Sequence, residues 1–299
     1  SDNAVAIVGY THSPKLGNVF GDMPYRKDST NNYRNTDIFV SVVKPKPNNA
    51  ALWSHNYLIF YGGGVDDIGG KIVIDKDGNV IFGGITYSPN FPVTDATVYK
   101  SLEDIVVVKF GPTPVREWAT MFGSIGMEDF GDLAVDATGS VCAVGLTYGN
   151  NFPTLAPIKG TIGGSTDGFI RKIAANGATQ WSTYYGSSEL DGLYGVGFDK
   201  SNNVWVAGFT NRATDVPITT DAFQTTPNGI AGFDGYLAKI NANGSTVLYG
   251  SHHGAPSQNP LPPFPPPPTP PNADNGNDII ADIIVDGNAY VTVVASLSS

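Results

Sequence analysis

Short apolar runs of strand length alternate along this chain with turns rich in Gly, Asn and Asp. None of the runs holds the i, i+3, i+4, i+7 spacing of an amphipathic helix, so the pattern predicts an all-β chain. One phrase recurs four times. It reads Lys71-Ile-Val-Ile-Asp75, a turn, then Val80 to Thr86, and returns as Leu133-Ala-Val-Asp136 with Val141 to Thr147. Its third copy is Gly195-Val-Gly-Phe-Asp199 with Val204 to Thr210, and its fourth is Ile283-Ile-Val-Asp286 through Thr292. Residues Asn3 to Thr11 supply the back half of one more. The spacing, about 60 to 85 residues, is that of a propeller or a solenoid.

Each unit divides into four strands, labelled A to D from the presumed axis outward. Strand A ends in Asp75, Asp136, Asp199 or Asp286, and strand B ends in Gly-x-Thr. Strand C opens at Asp37, Asp104, Asp167 or Asp234, and strand D carries Trp53, Trp118 or Trp181 in three copies. The A–B turns hold Asp-Gly, Thr-Gly or Asn-Asn and two C–D turns hold Asn-Gly, residues that tolerate the positive φ of a tight hairpin. Antiparallel hairpins repeated in this way make the four-stranded blade of a β-propeller. A parallel β-helix is the runner-up, but its coils are shorter and lack Asn-Gly hairpins. In order the chain reads B-C-D, three sets of A-B-C-D, then A-B, roughly seventeen strands. The expectation is one propeller domain over 1–299, with repeats at about 1–71, 72–131, 132–194, 195–279 and a partial 280–299. Four to five blades either close on themselves or form an arc of a larger ring. An open arc would expose a long apolar edge, which favours closure.

Several of these pieces occur together in a known family. Asp-Gly-Phe/Tyr-Ile/Leu-x-Lys-Ile, as at Asp167 and Asp234, is followed by Asn-Gly and by Trp181-Ser-Thr-Tyr-Tyr-Gly186. An acidic turn and Val-Asp-x-x-Gly-Asn-x-x-Val-x-Gly-x-Thr complete the unit, with Asn151-Phe-Pro-Thr and Thr220-Asp-Ala-Phe-Gln224 as further elements. The combination resembles the SBBP, or β-propeller repeat, family over almost the whole chain, with residues 10–36 and 252–276 departing from it. That resemblance implies a propeller, presumed seven-bladed in the family. It also implies a large secreted or surface protein, commonly without an assigned activity.

Composition narrows the partners. A chain of 299 residues that is 41% apolar can bury a full core, and Gly 36 with Pro 22 beside 15% charged residues is a turn-rich profile. The net charge of −10 disfavours nucleic acid and anionic membranes. The single cysteine, Cys142, excludes an internal disulfide and reads as a buried small hydrophobe. No run approaches the ~20 apolar residues of a membrane span. Residue 1 enters mid-repeat, so the chain reads as a piece of a longer one or of an assembly.

The candidate chemistry gathers at one end of the blades. B–C connections (12–36, 87–103, 148–166, 211–233) and the D–A segment 252–277 are long, whereas A–B and C–D turns are tight. Long loops on a rigid scaffold collect binding residues. Tyr87, Asn90, Tyr148, Asn150, Asn151 and Arg212 are therefore the candidates for contact with a glycan or protein. The acidic turns Asp66-Asp67, Glu128-Asp129, Asp191 and Asp278 are possible Ca²⁺ ligands, but an Asp at one place in every repeat is better explained as capping a turn. No turn has the spacing of a dedicated calcium loop, so no cofactor is expected. The tryptophans read as blade-to-blade packing. His252 and His253 point to opposite faces of a strand and make no metal pair. The Pro-rich insertion 255–277, with Pro260, Pro262, Phe264, Pro266 and Pro270, predicts polyproline II and is a candidate partner-binding segment. Asn243 opens the sole N-glycosylation sequon. No catalytic motif occurs. The reading is a non-catalytic extracellular or cell-surface module, structural or adhesive, that binds protein or glycan through its long-loop face. The alternative is a propeller glycan hydrolase or lyase with carboxylates near the central channel.

Overall fold

The computed structural model describes residues 4–12, 25–26, 35–46, 48–95, 99–100, 102–211, 215–227, 232–254, 278–286 and 290–296. Among them there is no helix, hence none long and apolar enough to cross a membrane. Among the described residues, eighteen strands form five sheets. The first holds β1 (Val5–Thr11), β3 (Asp37–Lys46), β4 (Asn49–Gly62) and the two-residue β2 (Tyr25–Arg26). The second runs β5 (Asp67–Ile74), β6 (Val80–Thr86), β7 (Asp104–Phe110), β8 (Arg116–Phe122). The third is β9 (Glu128–Val135), β10 (Val141–Thr147), β11 (Asp167–Ile173), β12 (Thr179–Tyr185). The fourth is β13 (Asp191–Phe198), β14 (Val204–Thr210), β15 (Asp234–Ile240), β16 (Val247–His253), and the fifth pairs β17 (Ile279–Val285) with β18 (Val291–Ser296). All pairs are antiparallel except β2 with β4, which is parallel and was not expected from sequence. The antiparallel ladders replace the coils of a β-helix.

Strands A, B, C and D are neighbours in chain order within each complete sheet, and the A strands lie side by side, β5 against β9, β9 against β13, β13 against β17. Consecutive sheets stack face to face. Ile38, Tyr61, Phe82 and Phe110 fill the first interface, and Ile81, Trp118, Leu133 and Phe169 the second. Cys142, Ile170, Trp181 and Tyr236 fill the third, while Ala207, Leu237, Ile280 and Ile283 fill the fourth. Sheets covered on both faces need near-continuous apolar strands, which explains why β7 (DIVVVKF) is buried at every position.

The A–B hairpins form as their residues demand. Asp75 Oδ1 accepts the amides of Asp77 and Asn79, both at 2.9 Å, and Asp136 and Asp199 repeat this bond on Thr138, Ser140, Ser201 and Asn203. A strand-C lysine then reaches each of these carboxylates, Lys109 to Asp75 at 3.4 Å, Lys172 to Asp136 at 3.5 Å and Lys239 to Asp199 at 2.8 Å. Asp75-Lys-Asp-Gly-Asn79 is thus a capped turn.

Two tryptophans bracket neighbouring sheets. Trp118 Nε1 donates to the Ala175 carbonyl at 2.9 Å, and Trp181 Nε1 to Ala242 at 3.1 Å, each reaching the C–D turn of the next sheet. Gly177 (φ 91°) and Gly244 (φ 73°) lie against these rings, where a Cβ would collide with the indole. Trp53 departs from the expected packing: it is 49% exposed. The C–D turn it would meet, Gly111 to Val115, contains two prolines and no Asn-Gly.

The long B–C loops also depart from expectation. Each crosses its own sheet and seals the outer edge of strand D. Thr94 N bonds Ala119 O on β8, Leu155 exchanges both backbone bonds with Ser182 on β12, and Lys159 O accepts from Tyr184 N. Thr219 N bonds Gly250 O, and Gln224 O accepts from His252 N, on β16. Strand β2 does the same for β4. An unpaired edge is a template for aggregation, and these loops remove it. Phe91 and Phe152, in the Asn-Phe-Pro pieces, are buried anchors for the crossing.

Candidate functional site

Of the acidic residues predicted to sit in turns, Asp67, Glu128 and Asp191 are the first residues of A strands, which begin several positions earlier than the apolar pattern suggests. Across each complete sheet they form a register-matched row: Asp67, Thr86, Asp104; Glu128, Thr147, Asp167; Asp191, Thr210, Asp234. All nine are buried. Asp67 accepts the Gly63 amide at 2.6 Å and the hydroxyls of Thr86 and Ser88. Glu128 Oε1 accepts the hydroxyls of Thr147, at 2.8 Å, and Ser124. Asp191 Oδ2 accepts both the amide (2.7 Å) and the hydroxyl (2.6 Å) of Ser187. Each of these acids thus caps the turn before its strand through one carboxylate oxygen. Burial pushes Asp67 and Glu128 up to about 7 and Asp104 to about 6, and raises Asp191. At the sheet junctions the strand-C Asp of one sheet approaches the strand-A acid of the next across a glycine. Asp37 and Asp67 meet beside Gly62, Asp104 and Glu128 beside Gly123, Asp234 and Asp278 beside Gly254.

The other acids have separate roles. Asp66 Oδ1 accepts the amide (2.6 Å) and hydroxyl (2.9 Å) of Thr36, while Asp129 is exposed. Asp278 is buried, its amide bonded to Phe233 O at 2.6 Å. Among the described residues no three His, Cys, Asp or Glu side chains gather as a metal site.

Just past the B strands a polar and aromatic cluster links three consecutive sheets. Backbone bonds from Tyr87 N to Asp66 O (2.9 Å) and from Tyr148 N to Met127 O (3.0 Å) fix two tyrosines beside the A-strand starts. The Tyr87 hydroxyl pairs with Glu103, and that of Tyr148 with Asp129. Burial and these carboxylates hold both hydroxyls above their ordinary range. Tyr194, at the bulge in β13, lies within reach of the charge of Asp129. Glu103 is buried, and burial together with Asp129 raises its carboxyl. Sequence reasoning found Tyr87 and Tyr148 and missed Glu103 and Tyr194. Glu103 stands next to the strand-C Asp, the one available signal; Tyr194 lay inside an apolar run.

The remaining candidates divide. Asn90 Oδ1 accepts Gly64 N and Asn151 Oδ1 accepts Ile125 N, both at 2.8 Å, so these side chains tie down the D–A turns. Asn150 is exposed beside Tyr148. Arg212, Pro260, Pro262, Phe264, Pro266 and Pro270 lie outside the described residues. Asn243 is exposed on a C–D turn, its Oδ1 accepting from Ser245 Oγ at 2.8 Å. His253 stacks on Phe223 at 5.3 Å, while His252 lies in the core with its ring 6.0 Å from that of Tyr236. No protein-family model matches the chain, and no curated protein does.

Proposed function

We propose that this chain is a non-catalytic, extracellular or cell-surface β-propeller module that binds protein or glycan through the face carrying the B-strand ends. The sheets are its blades, four to five in this chain or part of a larger ring, as the resemblance to the β-propeller repeat family implies. Face-to-face stacking of consecutive sheets and adjacent A strands support that reading. So does Lys71 of β5, which pairs with Asp132 of β9 at 2.9 Å and feels the charge of Asp282 on β17, three sheets away. The role is a surface or filament component, with the Pro-rich segment 255–277 as a second contact point.

The observation that carries the binding role is the cluster of Tyr87, Glu103, Asp129, Tyr148 and Tyr194. Tyr148, 49% exposed beside exposed Asn150 and Asp129, offers an aromatic face next to hydrogen-bonding groups, the combination that recognises sugars and polar protein surfaces. Since the middles of the B–C loops are bound to sheet edges, this inner part of the face is what remains for a ligand. A glycan array followed by calorimetric titration tests it: Tyr148→Ala should weaken binding roughly tenfold, about 1.4 kcal/mol, at unchanged Tm. Equal affinity for the variant would refute the assignment. The hydrolase or lyase alternative gains from one feature, the buried Glu103, whose carboxyl is pushed above its ordinary range by burial and by the nearby charge of Asp129. Release of reducing ends from a polysaccharide, abolished in Glu103→Gln, would replace the binding reading with that one.

A further inference from the structure

The sheet junction beside Gly123 holds a pair of buried carboxylates that make no ion pair among the described residues, the charge of exposed Lys100 alone reaching Asp104. Asp104 and Glu128 are both 0% exposed. Each uses one oxygen conventionally: Asp104 Oδ2 accepts the Lys100 amide at 2.9 Å, and Glu128 Oε1 accepts the Thr147 and Ser124 hydroxyls. The other oxygens, Asp104 Oδ1 and Glu128 Oε2, are buried with no partner among the described residues. Both converge on one point, the position a Gly123 Cβ would occupy. Two converging carboxylates withdrawn from water are strongly unfavourable unless a positive charge or a proton lies between them.

The next junction shows which of these the fold accommodates. There the Lys159 ammonium sits 2.8 Å from Asp167 Oδ2, and it donates to the carbonyls of Gly186 (2.9 Å) and Ser187 (2.7 Å) in the D–A turn. The chain thus supplies its own cation, held by a carboxylate and two backbone carbonyls. In the repeat, Gly186-Ser187 corresponds to Gly123-Ser124 and Asp167 to Asp104. No lysine or arginine forms an ion pair with Asp104 or Glu128 among the described residues.

We propose that Asp104 and Glu128 bind a divalent cation at the Gly123 junction, calcium by the all-oxygen character of the donors. Two carboxylates match its double charge, and the carbonyls of Gly123 and Ser124, which correspond to the Gly186 and Ser187 carbonyls that hold Lys159, would supply further oxygen donors. The absence of a side chain at residue 123 leaves the room. The ion then cements the second sheet to the third, as Lys159 cements the third to the fourth.

The test uses the whole chain, stripped with a chelator and dialysed. Calorimetric titration with CaCl2 at pH 7 should show saturable binding, and thermal melts should rise by several degrees at saturation. In Glu128→Gln the calorimetric stoichiometry should fall by one site. In Asp191→Asn, at the junction where lysine stands in, the stoichiometry should match wild type, which separates loss of a ligand from general damage. If wild type binds no calcium, the inference fails. It fails also if Glu128→Gln keeps the wild-type stoichiometry. A Glu128→Gln variant more stable than wild type with no calcium response in either would show that the pair shares a proton instead.

Discussion

Substituting His252 by Phe should stabilise the protein, and by an amount that grows as the pH falls. His252 stands on β16 opposite Tyr236, in the register that Phe60, Met121 and Tyr184 occupy in the first three sheets. It is 0% exposed, and neither ring nitrogen has a partner among the described residues. Burial, reinforced by His253, pushes its pKa down from 6.5 to about 4. Above pH 6.5 the ring is neutral in both the folded and unfolded chain, and its contribution is constant. Between 6.5 and 4 the unfolded chain takes up a proton that the fold refuses, so stability drains as pH drops through that window. Below 4 both states are charged and the loss stops. The full shift is worth up to about 3 kcal/mol. Orphaned ring nitrogens add about 1 to 2 kcal/mol at neutral pH, which Phe also recovers. Urea denaturation of wild type and His252→Phe from pH 7 to pH 4 gives the difference directly. That subtraction removes the opposite trend of Asp67, Asp104 and Glu128, whose raised pKa values favour the fold at lower pH. A gap that stays flat across the range would mean the ring is not buried unpaired, and the reasoning would be refuted.

Other expectations concern the junctions. Lys159→Met leaves the fully buried Asp167 without its cation and should cost about 2 to 4 kcal/mol by denaturant midpoint; a neutral result would mean Asp167 is solvated. Trp181→Phe removes the indole bond to Ala242 and part of a packed ring, at about 1 to 2 kcal/mol, whereas Trp53→Phe should fall within about 0.5 kcal/mol of wild type. Gly244→Ala combines a left-handed backbone with a collision on the Trp181 ring, and its melting point should fall by several degrees, more than for Ser245→Ala on the same turn.

Most of the strand plan could be read from the chain because it is local. An Asp that ends a run and a Gly or Asn beyond it define the A–B hairpin without reference to anything distant, and Asp104, Asp167 and Asp234 open their strands where expected. What escaped notice was non-local. Asp67, Glu128 and Asp191 look like turn residues because they are acidic, yet the ladder to Thr86, Thr147 and Thr210 extends each strand over them. Nothing near Thr94 or Leu155 in sequence says that they lie along the edges of β8 and β12, since the bonds are made to residues some 25 positions away. The exposure of Trp53 depended on a turn in the neighbouring sheet. The Tyr87, Glu103 and Tyr148 cluster was half visible, its tyrosines by position and its carboxylate only through the fold.

The crossing loops bear on how this protein would respond to mechanical load. In an ordinary open sheet the outermost strand is held on one side and peels away rung by rung under modest tension. Here β16 is gripped by β15 on one flank and by Thr219 and Gln224 on the other, and that strap is threaded from between β14 and β15. A pull on the chain after β16 must break both rows together. Shearing paired rows simultaneously resists more than unzipping one, so in the first four sheets the outer strand is clamped on both flanks.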